Sequence, residues 1–63
     1  MQMTLKALRH NAGLRQTDMA LALGVSRKTV GAWENGISLP TPDKIDAICA
    51  LFGVSYDNIK WRS

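Results

Sequence analysis

The stretch "GVSRKTVGAWENG", residues 24–36, decides how the chain is read. Ser26 is a favourable N-cap for a helix that opens at Arg27, and Gly36 is a favourable stop. That helix accepts two local penalties. Its first turn holds Arg27 and Lys28 against the positive end of the helix dipole, at roughly a few tenths of a kcal/mol each. Gly31 weakens its middle by about 1 kcal/mol relative to alanine. At 100° per residue, Val30, Trp33 and Glu34 share one side, and Arg27, Lys28, Gly31 and Ala32 share the other. The first side is bulky and apolar, so it packs inward. The second is cationic at one end and nearly bare beyond it, where a merely solvated helix carries long polar side chains. A DNA major groove admits one helix, displays acceptors on guanine and is flanked by phosphates that favour cations and helix N-termini. A bound duplex then offsets the dipole penalty. The plainer alternative is a surface with two ordinary cations and a glycine that relieves crowding.

Working outward, the punctuation predicts helices over residues 4–12, 16–23, 27–35, 42–52 and 56–61. Thr4 caps the first, Thr41 with Pro42 at N1 opens the fourth, and Ser55 caps the fifth. Gly13, Gly24, Gly36 and Gly53 end the first four. Leu5, Leu8 and Ala12 form an apolar stripe on the first helix, with Arg9 oddly placed at its edge. Met19, Ala20 and Leu23 face inward from the second; Ile45, Ile48, Cys49 and Phe52 do so from the fourth, and Ile59 from the fifth. No segment alternates with period two. The expected fold class is therefore all-α, a compact five-helix bundle in one domain over residues 1–63. Only "GVS" separates the second and third helices, which is the connection of a helix-turn-helix.

Composition bounds the function. With 63 residues, 46% hydrophobic and 21% charged, the chain is expected to fold as one small globular unit. One cysteine, Cys49, fits a reducing compartment, and no apolar stretch approaches a membrane span. A cytoplasmic protein is expected. Residues 1–33 hold five cations against one carboxylate, whereas residues 34–63 hold three against four. A basic half suits a polyanionic partner, although so small a charge is also met on ordinary solvated surfaces. His10 is the sole histidine, so one chain does not assemble a metal site of normal ligand count. Ser26 and Thr29 lack a base partner, and there is no glycine-rich phosphate loop. Neither an enzyme nor a cofactor is expected.

"QTDMALALGVSRKTVGAWENG", with Gln16, Ala20, Gly24, Val30 and the closing Trp33-Glu34-Asn35-Gly36, resembles the helix-turn-helix of phage repressor and Cro-type regulators, often called the XRE family. The likeness continues through "LKALRHNAGL" before it and "PTPDKIDAICALFGVSYDNI" after it. It implies a lambda repressor-like domain that binds double-stranded DNA, most simply as a repressor at a palindromic operator. Base contacts then fall to Arg27 and Lys28, with Thr29 or Ala32 adding to them. Gln16, Ser26 and Asn35 fall on phosphate-contact positions. Arg15 stands where relatives carry a capping Ser, Thr or Asn, exchanging a cap worth about 1 kcal/mol for a phosphate-binding cation. The resemblance also pairs Arg9 with Glu34 as a structural ion pair.

One departure concerns "ISLP" after the third helix. It lacks the basic residues with which relatives grip phosphate, so Ile37 and Leu39 either cover the core or meet a second subunit. Tyr56 and Trp61 either cover the back of the bundle or form a homodimer contact. Other functions on this fold are an antitoxin or bridging coactivator that binds protein, and the DNA-binding piece of a longer regulator.

Overall fold

In a computed structural model that describes residues 2–61, the elements run β1 (Met3–Thr4), α1 (Leu5–Asn11), α2 (Gln16–Leu23), α3 (Arg27–Glu34), α4 (Pro42–Phe52), a 3-10 turn (Tyr56–Asn58) and β2 (Ile59–Lys60). Each start has a local cause. The Thr4 hydroxyl accepts from the Ala7 N–H at 3.1 Å, and Ser26 Oγ accepts from the Thr29 N–H at 3.1 Å. Pro42 opens α4, where its missing N–H is no loss, and Asp43 in the same turn suits the dipole.

The turn between α2 and α3 is set by backbone geometry. Gly24 takes a left-handed conformation, φ +69°, which only glycine adopts at no steric cost. The Val25 N–H then donates back to the Ala20 carbonyl at 3.0 Å and closes the end of α2. Lys44 of α4 adds a second closure by donating from Nζ to the Leu23 carbonyl at 2.7 Å. At the end of α3, Gly36 repeats the left-handed turn (φ +71°), and the Ile37 N–H donates to the Ala32 carbonyl at 2.9 Å.

The core draws on every layer: Leu5 and Leu8, Met19, Ala20 and Leu23, Val30 and Trp33, Ile48, and Ile59. Met19, Val30 and Ile48 are fully enclosed. Each such side chain contributes about 1.5–3 kcal/mol through removal from water. α2 and α3 share the largest helix contact, with Ala20 nearly fully buried beneath it.

The expected five-helix bundle is corrected to four helices and a small strand pair. Residues 56–61 do not form a helix. Ser55 and Asn58 cap only a three-residue 3-10 turn, the Asn58 side-chain oxygen accepting from the Ser55 N–H at 3.2 Å and the Ser55 hydroxyl at 2.7 Å, because the chain is drawn out at Ile59 to pair with Met3. Ile59 and Lys60 are then extended and pair in parallel with Met3 and Thr4, in the register Met3 with Ile59 and Thr4 with Lys60. A β-branched residue suits that strand, and Ile59 still reaches the core, 1% exposed. One smaller expectation also shifts. α1 ends at Asn11, so Ala12 is exposed instead of completing an apolar stripe. Tyr56 and Trp61 stack at 5.5 Å between ring centroids, with Tyr56 54% exposed.

Candidate nucleic-acid interface

The two sides of α3 differ as their residues dictate. Val30 and Trp33 are buried against the core. Arg27 and Lys28 are exposed in the first turn, while Gly31 and Ala32 are partly open beyond them. Gly31, Ala32, Asn35 and Ile37 line a shallow cleft together with Gln16, Arg27 and Lys28. A second open cleft, at the corner of α1 and α2, takes in His10, Arg15, Thr17 and again Gln16 and Arg27. The two form one concave strip that crosses the N-terminus of α2 and runs along α3. Five of its side chains, those of Arg9, His10, Arg15, Arg27 and Lys28, are basic types.

Beneath that strip, one carboxylate organises three helices. Arg9 of α1 is 7% exposed, and its Nε donates to Glu34 Oε2 at 2.6 Å while Nη2 donates to Oε1 at 3.2 Å. A further Arg9 bond, from Nη1 to the Leu14 carbonyl at 3.0 Å, holds the α1–α2 connection. Gln16 of α2 donates from Nε2 to Glu34 Oε1 at 3.0 Å. Burial pushes the Glu34 pKa up, but the hydrogen bonds from Arg9 and Gln16 outweigh it, and the group lies below its ordinary value. The Gln16 amide crosses α3 beside Gly31, where an added Cβ would lie 3.8 Å from Nε2.

Other residues near the strip are engaged locally. Arg15 is held by Asp18, with Nε to Oδ2 at 3.0 Å and Nη2 to Oδ1 at 3.1 Å. The same carboxylate accepts from the Arg15 backbone N–H at 2.8 Å. The start of α2 therefore has half a capping box, supplied by Asp18 from inside the helix. Those hydrogen bonds keep the Asp18 carboxyl below its ordinary pKa. Ser26 Oγ caps α3 and shares a bond of 2.9 Å with the Thr29 hydroxyl. Asn35 is exposed at the end of that helix. An acidic residue at the third helical position, as Asp18 is in α2, was a readable sign of the first arrangement; the Gln16–Glu34 bond had no local sign. Cys49 is half-buried against the core. Among the described residues, no group of three or more His, Cys, Asp or Glu side chains is placed to hold a metal ion, and no helix is long and apolar enough to cross a membrane.

Comparison with known proteins bears on this surface. A family profile described as "Helix-turn-helix" matches residues 5–59. The chain is 40% identical over 55 residues to the antitoxin PezA of Streptococcus pneumoniae serotype 4, an alignment that covers 87% of this chain and 35% of the antitoxin. It is 37% identical over 41 residues to the 26 kDa repressor protein of Escherichia phage HK022, covering 65% of this chain and 17% of the repressor. It thus spans about a third of the first relative and a sixth of the second. No solved structure matches the chain significantly. With the profile covering α1 through Ile59, and an α2–turn–α3 unit at its centre, the chain belongs to the helix-turn-helix family of phage-repressor and Cro type.

Proposed function

We propose that the protein is a sequence-specific DNA-binding transcriptional regulator, acting as a repressor that lays α3 in the major groove of double-stranded DNA. The observation that carries this reading is the exposed face of α3, cationic at Arg27 and Lys28 and low at Gly31 and Ala32, while its other face is fixed in the core. Arg27 reads a base edge, a guanine by a bidentate contact, and Lys28 holds a second base or a phosphate. Thr29 and Ala32 meet bases at the edge of that contact. Gln16, Ser26 and Asn35 orient the domain on the phosphates, and Arg15 joins them where Asp18 releases it. Arg9 and Glu34 are structural, holding the helix that reads. Family membership and the likeness to a phage repressor support the same reading.

The described chain measures 28 × 23 × 20 Å, whereas successive turns of the major groove lie about 34 Å apart. One copy therefore reaches one half-site, and a palindrome is occupied by a homodimer, with Tyr56 and Trp61 as its contact. Selection of bound duplexes from a random pool tests the reading. A palindromic consensus is the expected result, and absence of any retained duplex in dilute buffer overturns it.

A second reading is a protein-binding antitoxin on the same fold. Its support is the likeness to an antitoxin together with exposed apolar side chains, Leu21 at 82% and Ile37 at 77%. A partner protein captured by a surface that ignores DNA would favour it. The length of both relatives also supports a third proposal, that this domain serves a longer regulator.

A further inference from the structure

Ile37 is 77% exposed, an unusual place for a large aliphatic side chain, and it is not on a loose loop. Gly36 turns the chain, and the Ile37 N–H is fixed on the Ala32 carbonyl at 2.9 Å, with the Ser38 N–H on the same oxygen at 3.4 Å. The side chain thus stands at the rim of the α3 cleft, whose floor is Gly31 and Ala32 and whose opposite end carries Arg27 and Lys28. An apolar side chain on a fixed backbone beside a low floor suits a small apolar group that projects from an otherwise polar surface. The cations restrict the partner to a polyanion. On the major-groove side of duplex DNA, the one such group is the thymine 5-methyl.

We propose that Ile37 is a specificity residue that reads a thymine methyl next to the bases met by α3. The inference rests on the DNA reading above and adds to it an apolar contact from outside the recognition helix. It accounts for an aliphatic residue at a site where a cation would have added affinity but no sequence information.

The test uses a duplex selected by the parent protein, with each thymine replaced in turn by deoxyuridine, which lacks the methyl. Binding is measured for the parent, Ile37→Ala and Ile37→Lys. At one or two thymines per half-site the parent should lose roughly fourfold in affinity, the scale of one buried methyl. Ile37→Ala should bind the thymine duplex about as the parent binds the deoxyuridine duplex, and should be indifferent to the replacement. Ile37→Lys should bind duplexes of any sequence more tightly and lose the same methyl preference. The side chain is exposed, so the variants retain the fold, which their urea midpoints check. If parent and Ile37→Ala respond alike to every replacement, the inference is overturned while DNA binding stands. If the parent retains no duplex, the DNA reading falls, and the methyl contact with it.

Discussion

Glu34 accepts hydrogen bonds from α1 and α2 while belonging to α3, so its removal acts on three elements at once. Glu34→Ala leaves the Arg9 cation buried without a counter-charge, and it should cost about 3–5 kcal/mol in urea titration. Acid should act through the same group. Its folded pKa is depressed, so its stabilisation is complete above the ordinary value near 4.5 and is lost as pH falls through the lower folded value. The parent should therefore lose more stability than Glu34→Gln as the pH is lowered from roughly 5 to roughly 2, from just above the ordinary glutamate value to well below it, read from urea midpoints across that range. Arg27 belongs to the surface, not the scaffold. Arg27→Ala should leave the urea midpoint near the parent's, weaken binding by about 1–3 kcal/mol and relax preference at one base pair, as measured by competition among single-base operator variants. Arg9 was conspicuous in the sequence because a cation sat at the edge of an apolar stripe. Its partner lies 25 residues away, a pairing that only the family resemblance suggested.

Gly31 poses the clearest conflict at the level of the element. Its φ is not in the left-handed region, and an added Cβ would be in ordinary contact with the Gln16 amide. Gly31→Ala should therefore stabilise the fold by about 0.5–1 kcal/mol, through helix propensity. The same methyl would raise the floor of the cleft and should weaken duplex binding about tenfold, within the range of overpacking effects. Thermal melts and gel shifts on the one variant check both signs. The four helices were legible because their signals are local: Ser26 and Thr4 as caps, Pro42 at N1, and glycine stops. The fifth segment was misread because its decisive partner is not local. Ser55 is a fair cap and Ile59 a fair inward residue, but Ile59 is placed by Met3, which no periodicity relates to it. Lys44 of α4 closes the end of α2 across 21 residues of sequence, a contact with no local sign either.

At the scale of the whole molecule, few of the described cations that line the two clefts remain free for a polyanion. Arg9 is paired with Glu34 and Arg15 with Asp18, which leaves Arg27 and Lys28 among the described Lys and Arg residues lining the clefts. Each phosphate neutralised contributes about −0.9 to the slope of log K against log salt, so the slope should be about −2 per bound copy. Asp18→Ala, which frees Arg15, should steepen it to about −3, as read from affinities at several salt concentrations. The strand pair is the other long-range feature. Ile59→Ala empties a side chain that is 1% exposed and should cost about 2–5 kcal/mol, with faster amide exchange at Met3 and Thr4 as its local signature. Because residue 3 meets residue 59, this contact closes a loop that contains all four helices. Loop closure on that scale comes late in folding. During synthesis Met3 must wait for Ile59, so the strand pair forms only after all four helices have been made. The first strand made is thus the last to find its partner.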